Sequence, residues 1–228
     1  MQHIRSGKVF MAAVGAMALL IISALPAAAS LGGADEFDAI KIRIEKPEEI
    51  PEASKADAEY NLGVKFYNAG NKASATGWFR KAAEHGSVQG QSRLGLAYEM
   101  ALGVRKDYRE ALKWYGLAAA QKDKDARWGL GRVYAHGGHG VKRDDTVAAK
   151  WIRLSAEQDV AEAQYALGLL YRAGRGVSRD DGEAYFWLAL GSKTLDSAMK
   201  ARDEVAKRLT DGQLQSIRLR LLQWKPVE

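Results

Sequence analysis

The chain has 228 residues, enough for one sizeable domain with a hydrophobic core. Its apolar content of 47% is that of a folded protein, and its four prolines and abundant alanine and leucine favour helix. A net charge of +6 without a long lysine or arginine run gives no clustered basic face for nucleic acid, and the absence of cysteine excludes disulfide scaffolds, thiolate zinc sites and cysteine nucleophiles.

The first segment reads as a secretory signal. Arg5 and Lys8 give a positive start, Val9 to Leu25 is almost wholly apolar, and Pro26 is followed by Ala27-Ala28-Ala29, small residues of the kind read at a cleavage site. The expectation is export to the periplasm or cell envelope with cleavage after Ala29, an uncleaved membrane anchor being the alternative. Without residues 1–29 the chain keeps 32 basic against 28 acidic residues, a net charge of +4. Residues 30–56 read as an extended linker, with Ile40, Ile42 and Ile44 in alternation before Pro47 and Pro51. Those isoleucines suit either a short strand or a segment lying along the domain that follows.

From residue 57 the chain repeats. Leu-Gly followed by an aromatic occurs at Leu62-Gly63-Phe66, Leu94-Gly95-Tyr98, Leu130-Gly131-Tyr134 and Leu167-Gly168-Tyr171. Trp78, Trp114, Trp151 and Trp187 follow at intervals of 36, 37 and 36 residues, a period typical of helical solenoids. Small residues Ala58, Gly90, Ala126 and Ala163 stand four before each leucine, which makes a stripe at i, i+4, i+5 and i+8 on one helix face. The aromatic and the tryptophan are expected to fill the space between helices. Gly103-Val104, Gly140-Val141 and Gly176-Val177 then mark a turn, with Asp107, Asp144 and Asp180 placed to cap the next helix. A glycine used three times as punctuation is not a phosphate loop, and no Gly-Lys-Ser/Thr follows it. The first repeat is shorter and turns through Asn68-Ala69-Gly70-Asn71-Lys72.

The pattern Ala-x-x-x-Leu-Gly-x-x-Tyr, Gly-Val-x-x-Asp-x-x-x-Ala-x-x-Trp resembles the Sel-one-like repeat (SLR) family, a relative of the tetratricopeptide repeat. The resemblance spans about residues 57–192 and is fullest from Ala163 to Trp187. Met100-Ala101-Leu102 departs from the usual Gly-x-Gly, and Leu188-Ala189-Leu190-Gly191 replaces the closing Ala-Ala. The resemblance implies an all-α, right-handed α-α superhelical solenoid of about four helix pairs, and a non-catalytic scaffold without cofactor that binds a protein or peptide. It does not fix the oligomeric state. Residues 193–228 are expected to close the stack with two helices, one carrying Ala198, Ala201, Val205 and Leu209, the other Leu214, Ile217, Leu221 and Trp224 after a Thr210–Gln213 capping box.

Several candidate sites follow. The related fold lines its concave side with the first helix of each pair, and the residue two before each leucine points there: Tyr60, Ser92, Trp128 and Tyr165. Val64, Leu96, Arg132 and Leu169 lie four further on, then Tyr67, Glu99, Ala135 and Arg172. Tyr60, Trp128 and Tyr165 with Arg132, Arg172 and Glu99 are the predicted peptide groove. Arg105, Lys106, Lys142, Arg143 and Arg179 share equivalent loop positions and predict a basic edge, either solvated loop charge or a docking surface for an anionic partner. His136 and His139 are two imidazoles without an obvious third ligand, which argues against a metal site. Ser197-Ala198-Met199-Lys200 matches the Ser-x-x-Lys of penicillin-recognising enzymes, but neither Ser-Asp-Asn nor Lys-Thr-Gly follows. A cell-wall or β-lactam hydrolase is therefore the catalytic alternative, with helix capping the plainer role for Ser197.

Overall fold

A computed structural model describes residues 51–227. The signal segment, its cleavage site and the three isoleucines lie outside the described residues. Among the described residues ten helices follow one another: α1 (Glu52–Asn68), α2 (Lys72–Glu84), α3 (Val88–Met100), α4 (Tyr108–Ala120), α5 (Lys124–His136), α6 (Asp145–Ala156), α7 (Ala161–Ala173), α8 (Asp181–Gly191), α9 (Asp196–Ala206) and α10 (Asp211–Gln223). Helix α1 starts directly after Pro51, so residues 52–56 are helical, where an extended linker is expected. Proline's fixed φ suits a helix start, and the alanines beyond it propagate the helix.

Each repeat is an antiparallel pair, α1 with α2 through α7 with α8, and each pair packs on the next. First helices also touch one another, α1 with α3 and α3 with α5, whereas contacts between second helices are slight or absent among the described residues. The first helices therefore form the inner, concave row of an all-α repeat solenoid.

The repeated residues show why. Leu94, Leu130 and Leu167 are at most 3% exposed, each worth about 2 kcal/mol of apolar burial. The glycine after each leucine admits a side chain from the partner helix. A Cβ on Gly63 would stand 2.5 Å from the Phe79 ring, on Gly95 2.6 Å from Tyr115, on Gly131 2.4 Å from Ile152 and on Gly168 2.6 Å from Leu188. The knob is thus the residue after the periodic tryptophan. This corrects the expectation that the tryptophan itself fills the gap. Trp78, Trp114 and Trp151 are half-buried, and only Trp187, under the C-terminal helices, falls to 3% exposed. Helical geometry turns adjacent side chains by about 100°, so the two residues cannot face the same groove.

The turns are built alike. Asp107, Asp144 and Asp180 each accept backbone N–H bonds as N-caps of α4, α6 and α8. Their own N–H groups donate to the carbonyls of Tyr98, Tyr134 and Tyr171, at 3.1, 2.9 and 3.1 Å. The glycines of the turns reach back to the preceding repeat. Gly103 meets the backbone of Lys72 and Ala73 at the start of α2, Gly140 meets Arg109 on α4, and Gly176 meets Asp145 and Thr146 on α6. Beside Gly140, the Arg109 Nε–H donates to its carbonyl at 3.2 Å.

Where the second repeat lacks its usual glycine, Ala101 takes φ 56° and ψ 42°, the left-handed conformation that costs a Cβ-bearing residue about 1 kcal/mol. Ala101 is exposed. Ala101→Gly is expected to raise unfolding free energy by about 1 kcal/mol, read as a shift in urea midpoint at unchanged slope.

The stack is closed by α9 and α10. Ala198, Ala201 and Val205 are buried, and Leu214, Ile217, Leu221 and Trp224 pack partly buried against the C-terminal core. The Thr210–Gln213 capping box is formed. Arg220 pairs with Glu183 of α8, its guanidinium 3.8 Å above the Phe186 ring. Ser197 does not cap α9. The N-cap is Leu195, without a side-chain bond, and Ser197 is the second helical residue and exposed.

Candidate functional site

The inner row carries a concavity of about 170 Å³ between α3 and α5, lined by Ser92, Arg93, Leu96, Tyr115, Asp125, Trp128 and Arg132. Its organising residue is Tyr115 of α4. Tyr115 is 1% exposed, and its ring passes between Gly95 on α3 and Gly129 on α5, where a Cβ would come within 2.6 and 2.3 Å of it. Only two glycines facing each other allow an aromatic ring through at this depth. The hydroxyl emerges on the inner side and donates to Glu99 Oε2 at 2.7 Å.

Glu99 is 6% exposed, and Arg132 Nη2 donates to the same oxygen at 2.6 Å and to the Tyr115 hydroxyl at 3.4 Å. The guanidinium carbon of Arg132 lies 5.5 Å from the centre of the Trp128 ring, within cation–π range. The chain of contacts thus runs from a buried acid through an arginine to a half-buried indole on the inner surface. It restricts both Arg132 and Trp128 before any partner arrives.

The charges fit this picture. Burial opposes the Arg132 charge, but Glu99 beside it more than compensates and holds the guanidinium above its ordinary pKa. Burial, with Glu99 next in effect, pushes the Tyr115 hydroxyl well above its ordinary value near 10. Tyr115 therefore stays a donor. Above about pH 10 the unfolded chain would release this proton while the folded chain keeps it, so stability falls as pH rises. Tyr115→Phe is expected to show a shallower loss of melting temperature than wild type between about pH 9 and 11.

The six predicted groove residues divide. Trp128 and Arg132 line the concavity. Glu99 is not presented to a partner as expected but is buried, where it holds Arg132. Tyr60 leans on Phe79 of its own pair, ring centres 5.8 Å apart, and Tyr165 packs against the C-terminal core. Arg172 is half-buried on α7, outside the concavity. Arg93, Asp125 and Tyr115 were missed. Arg93 and Asp125 lie one and three positions from Ser92 and Trp128 and were accessible to the same helical count. Tyr115 comes from α4, which a count along the first helices does not reach.

The basic edge is also divided. Arg143 pairs with Asp145 at 2.8 Å and Arg179 with Asp181 at 3.3 Å, each two residues ahead, so each of these two cations already has a carboxylate partner. Hydrogen bonds from Arg143 and Arg175 hold the Asp145 carboxyl well below the usual carboxylate range. Arg105 and Lys142 are exposed, and the Lys106 ammonium lies 5.5 Å from the Tyr108 ring centre. His136 Nδ1 meets the Arg132 carbonyl oxygen at 2.8 Å, and the His139 ring stands edge-on to Tyr108 at 5.0 Å. Among the described residues no three His, Cys, Asp or Glu side chains converge as a metal site, and no helix is long and apolar enough to cross a membrane.

Helix pairs of fixed period with a shaped inner face define the class of α-solenoid repeat scaffolds. The Sel1 repeat pattern matches residues 56–87, 88–123, 124–160 and 161–193, and the chain belongs to the Sel1 repeat family, whose proteins are generally protein–protein interaction scaffolds. It is similar to c5321, a protective antigen present in uropathogenic Escherichia coli strains and displaying an SLR fold, with 33% identity and a TM-score of 0.67 over 76% of this chain and 38% of that one. It is also similar to a Sel1 repeat protein from Oxalobacter formigenes, with 30% identity and a TM-score of 0.53 over 67% of this chain and 45% of that one. This chain thus spans less than half the length of either. No curated protein matches it.

Proposed function

We propose that this protein is an exported, non-catalytic scaffold that binds an extended segment of a partner protein along its inner face, with Trp128 as the anchor. The observation that carries the reading is the restrained pair Trp128 and Arg132 at the concavity between α3 and α5. A half-buried tryptophan whose neighbour is already fixed loses little entropy on binding, the usual property of an interface hot spot. Leu96 supplies apolar floor, and Arg93 and Asp125 supply polar ends for the backbone or side chains of a guest. The N-terminal segment supports export, and Ser30 is the expected first residue of the mature chain, to be read by mass spectrometry of protein from the envelope fraction.

The binding face is tested by placing a photo-crosslinking amino acid at Leu96 and, separately, at Leu117, which is 46% exposed on α4. The expected result is a specific adduct from position 96, absent when Trp128 is also replaced by alanine, and none from position 117. Adducts of the same partner from position 117 alone would place binding on the outer side.

A further inference from the structure

The loop edge carries comparable clefts in the second and fourth repeats. A cleft of about 610 Å³ is lined by Tyr98, Val104, Arg105, Lys106, Asp107 and His139. Its counterpart in the fourth repeat, about 590 Å³, contains the equivalent Tyr171, Val177, Ser178, Arg179 and Asp180. The two clefts have similar volumes, and their cations are paired differently. In the fourth repeat Arg179 pairs with Asp181, which also meets Arg208, and Arg220 pairs with Glu183. In the third repeat Arg143 shares Asp145 with Arg175.

Asp145 and Asp181 occupy the first position of α6 and α8. The equivalent residue on α4 is Tyr108. The second repeat therefore keeps its loop cations and lacks the acid that would quench them. Among the described residues no carboxylate pairs with Arg105 or Lys106. Asp107 is committed to capping, its Oδ1 accepting from the N–H groups of Arg109 and Glu110 at 2.9 and 3.2 Å. Glu110 accepts from the Trp114 indole at 3.1 Å. Arg80 donates to the Tyr98 hydroxyl at 2.8 Å, as Arg153 does to Tyr171 at the fourth-repeat cleft, so this cation is common to both.

We infer that this cleft is a docking site for an acidic peptide segment of a partner protein, its carboxylates received by Arg105 and Lys106. Guanidinium groups bind carboxylates through paired N–H donors, and an ammonium adds a point charge. The cations sit on the wall of a cleft that a chain can enter. Two free cations are too few for a bilayer surface, where basic clusters of about four to eight residues are needed.

The test is fluorescence anisotropy of a fluorescein-labelled decapeptide of alternating glutamate and alanine, with the lysine counterpart as control. Saturable binding of the acidic peptide alone is expected. It should weaken about tenfold in Arg105→Ala/Lys106→Ala and also in Tyr108→Asp, which supplies the acid of the third and fourth repeats. It should be unchanged in Arg143→Ala and in Trp128→Ala. The inference is overturned by no binding, by equal binding to the double variant, or by loss in Trp128→Ala. It is equally overturned if vesicles containing phosphatidylglycerol bind the protein through the same two cations while the peptide does not.

Discussion

Gly176→Ala is expected to lower unfolding free energy by about 3 kcal/mol or more, a large part of the stability of a single domain. Two costs combine. Gly176 has φ +69°, where a Cβ costs about 1–2 kcal/mol. The added carbon would also stand 2.0 Å from the carbonyl oxygen of Asp145, which is backbone at the start of α6 and has no rotamer by which to withdraw. The loop of the fourth repeat would have to lift from the third, loosening the Arg175–Asp145 pair, 2.9 Å long in the intact chain. Gly174→Ala is the control. Gly174 also has a positive φ of +66°, but its nearest prospective contact is the Arg179 side chain at 3.3 Å, so only the backbone cost should appear. Denaturant unfolding of the two variants separates strain from inter-repeat contact, and equal losses would contradict the interlocked turn.

Arg132→Ala is expected to cost about 3 kcal/mol. It leaves the buried carboxylate of Glu99 with the Tyr115 hydroxyl as its remaining partner, and an uncompensated buried charge is the expensive outcome of breaking such a pair. Replacing both partners by apolar residues, Glu99→Leu with Arg132→Met, should recover most of the loss, because it removes the demand for pairing. Partner binding should remain lost in the double variant, since the groove then lacks the cation beside Trp128. Recovery of stability without recovery of binding would separate the structural part of this network from its functional part.

The period of the repeat was visible in the sequence because each unit solves the same packing problem with the same residues. Leu-Gly, the turn glycine and the capping aspartate recur because each meets a local demand: burial, a positive φ, an open N–H. The close-packed knob was harder to see. It varies among Phe79, Tyr115, Ile152 and Leu188, and a position that accepts any bulky apolar side chain has no spelling, whereas the tryptophan beside it does. At the site, Trp128 and Arg132 followed from counting along a helix. The burial of Glu99 did not, because it depends on Tyr115 arriving from a different helix between two glycines. The pairing of Arg143 and Arg179 was hidden for a simpler reason. Their acids stand two residues on at the helix start, and whether such neighbours meet depends on the cap geometry.

Trp128 on the inner face is the proposed anchor of the partner. Its most direct test is the affinity, by isothermal titration calorimetry, of the partner identified by crosslinking for wild type and for Trp128→Ala, with circular dichroism confirming that the variant is folded. A hot-spot tryptophan predicts a loss of about thirtyfold or more. Equal affinity in a folded variant would contradict the groove reading.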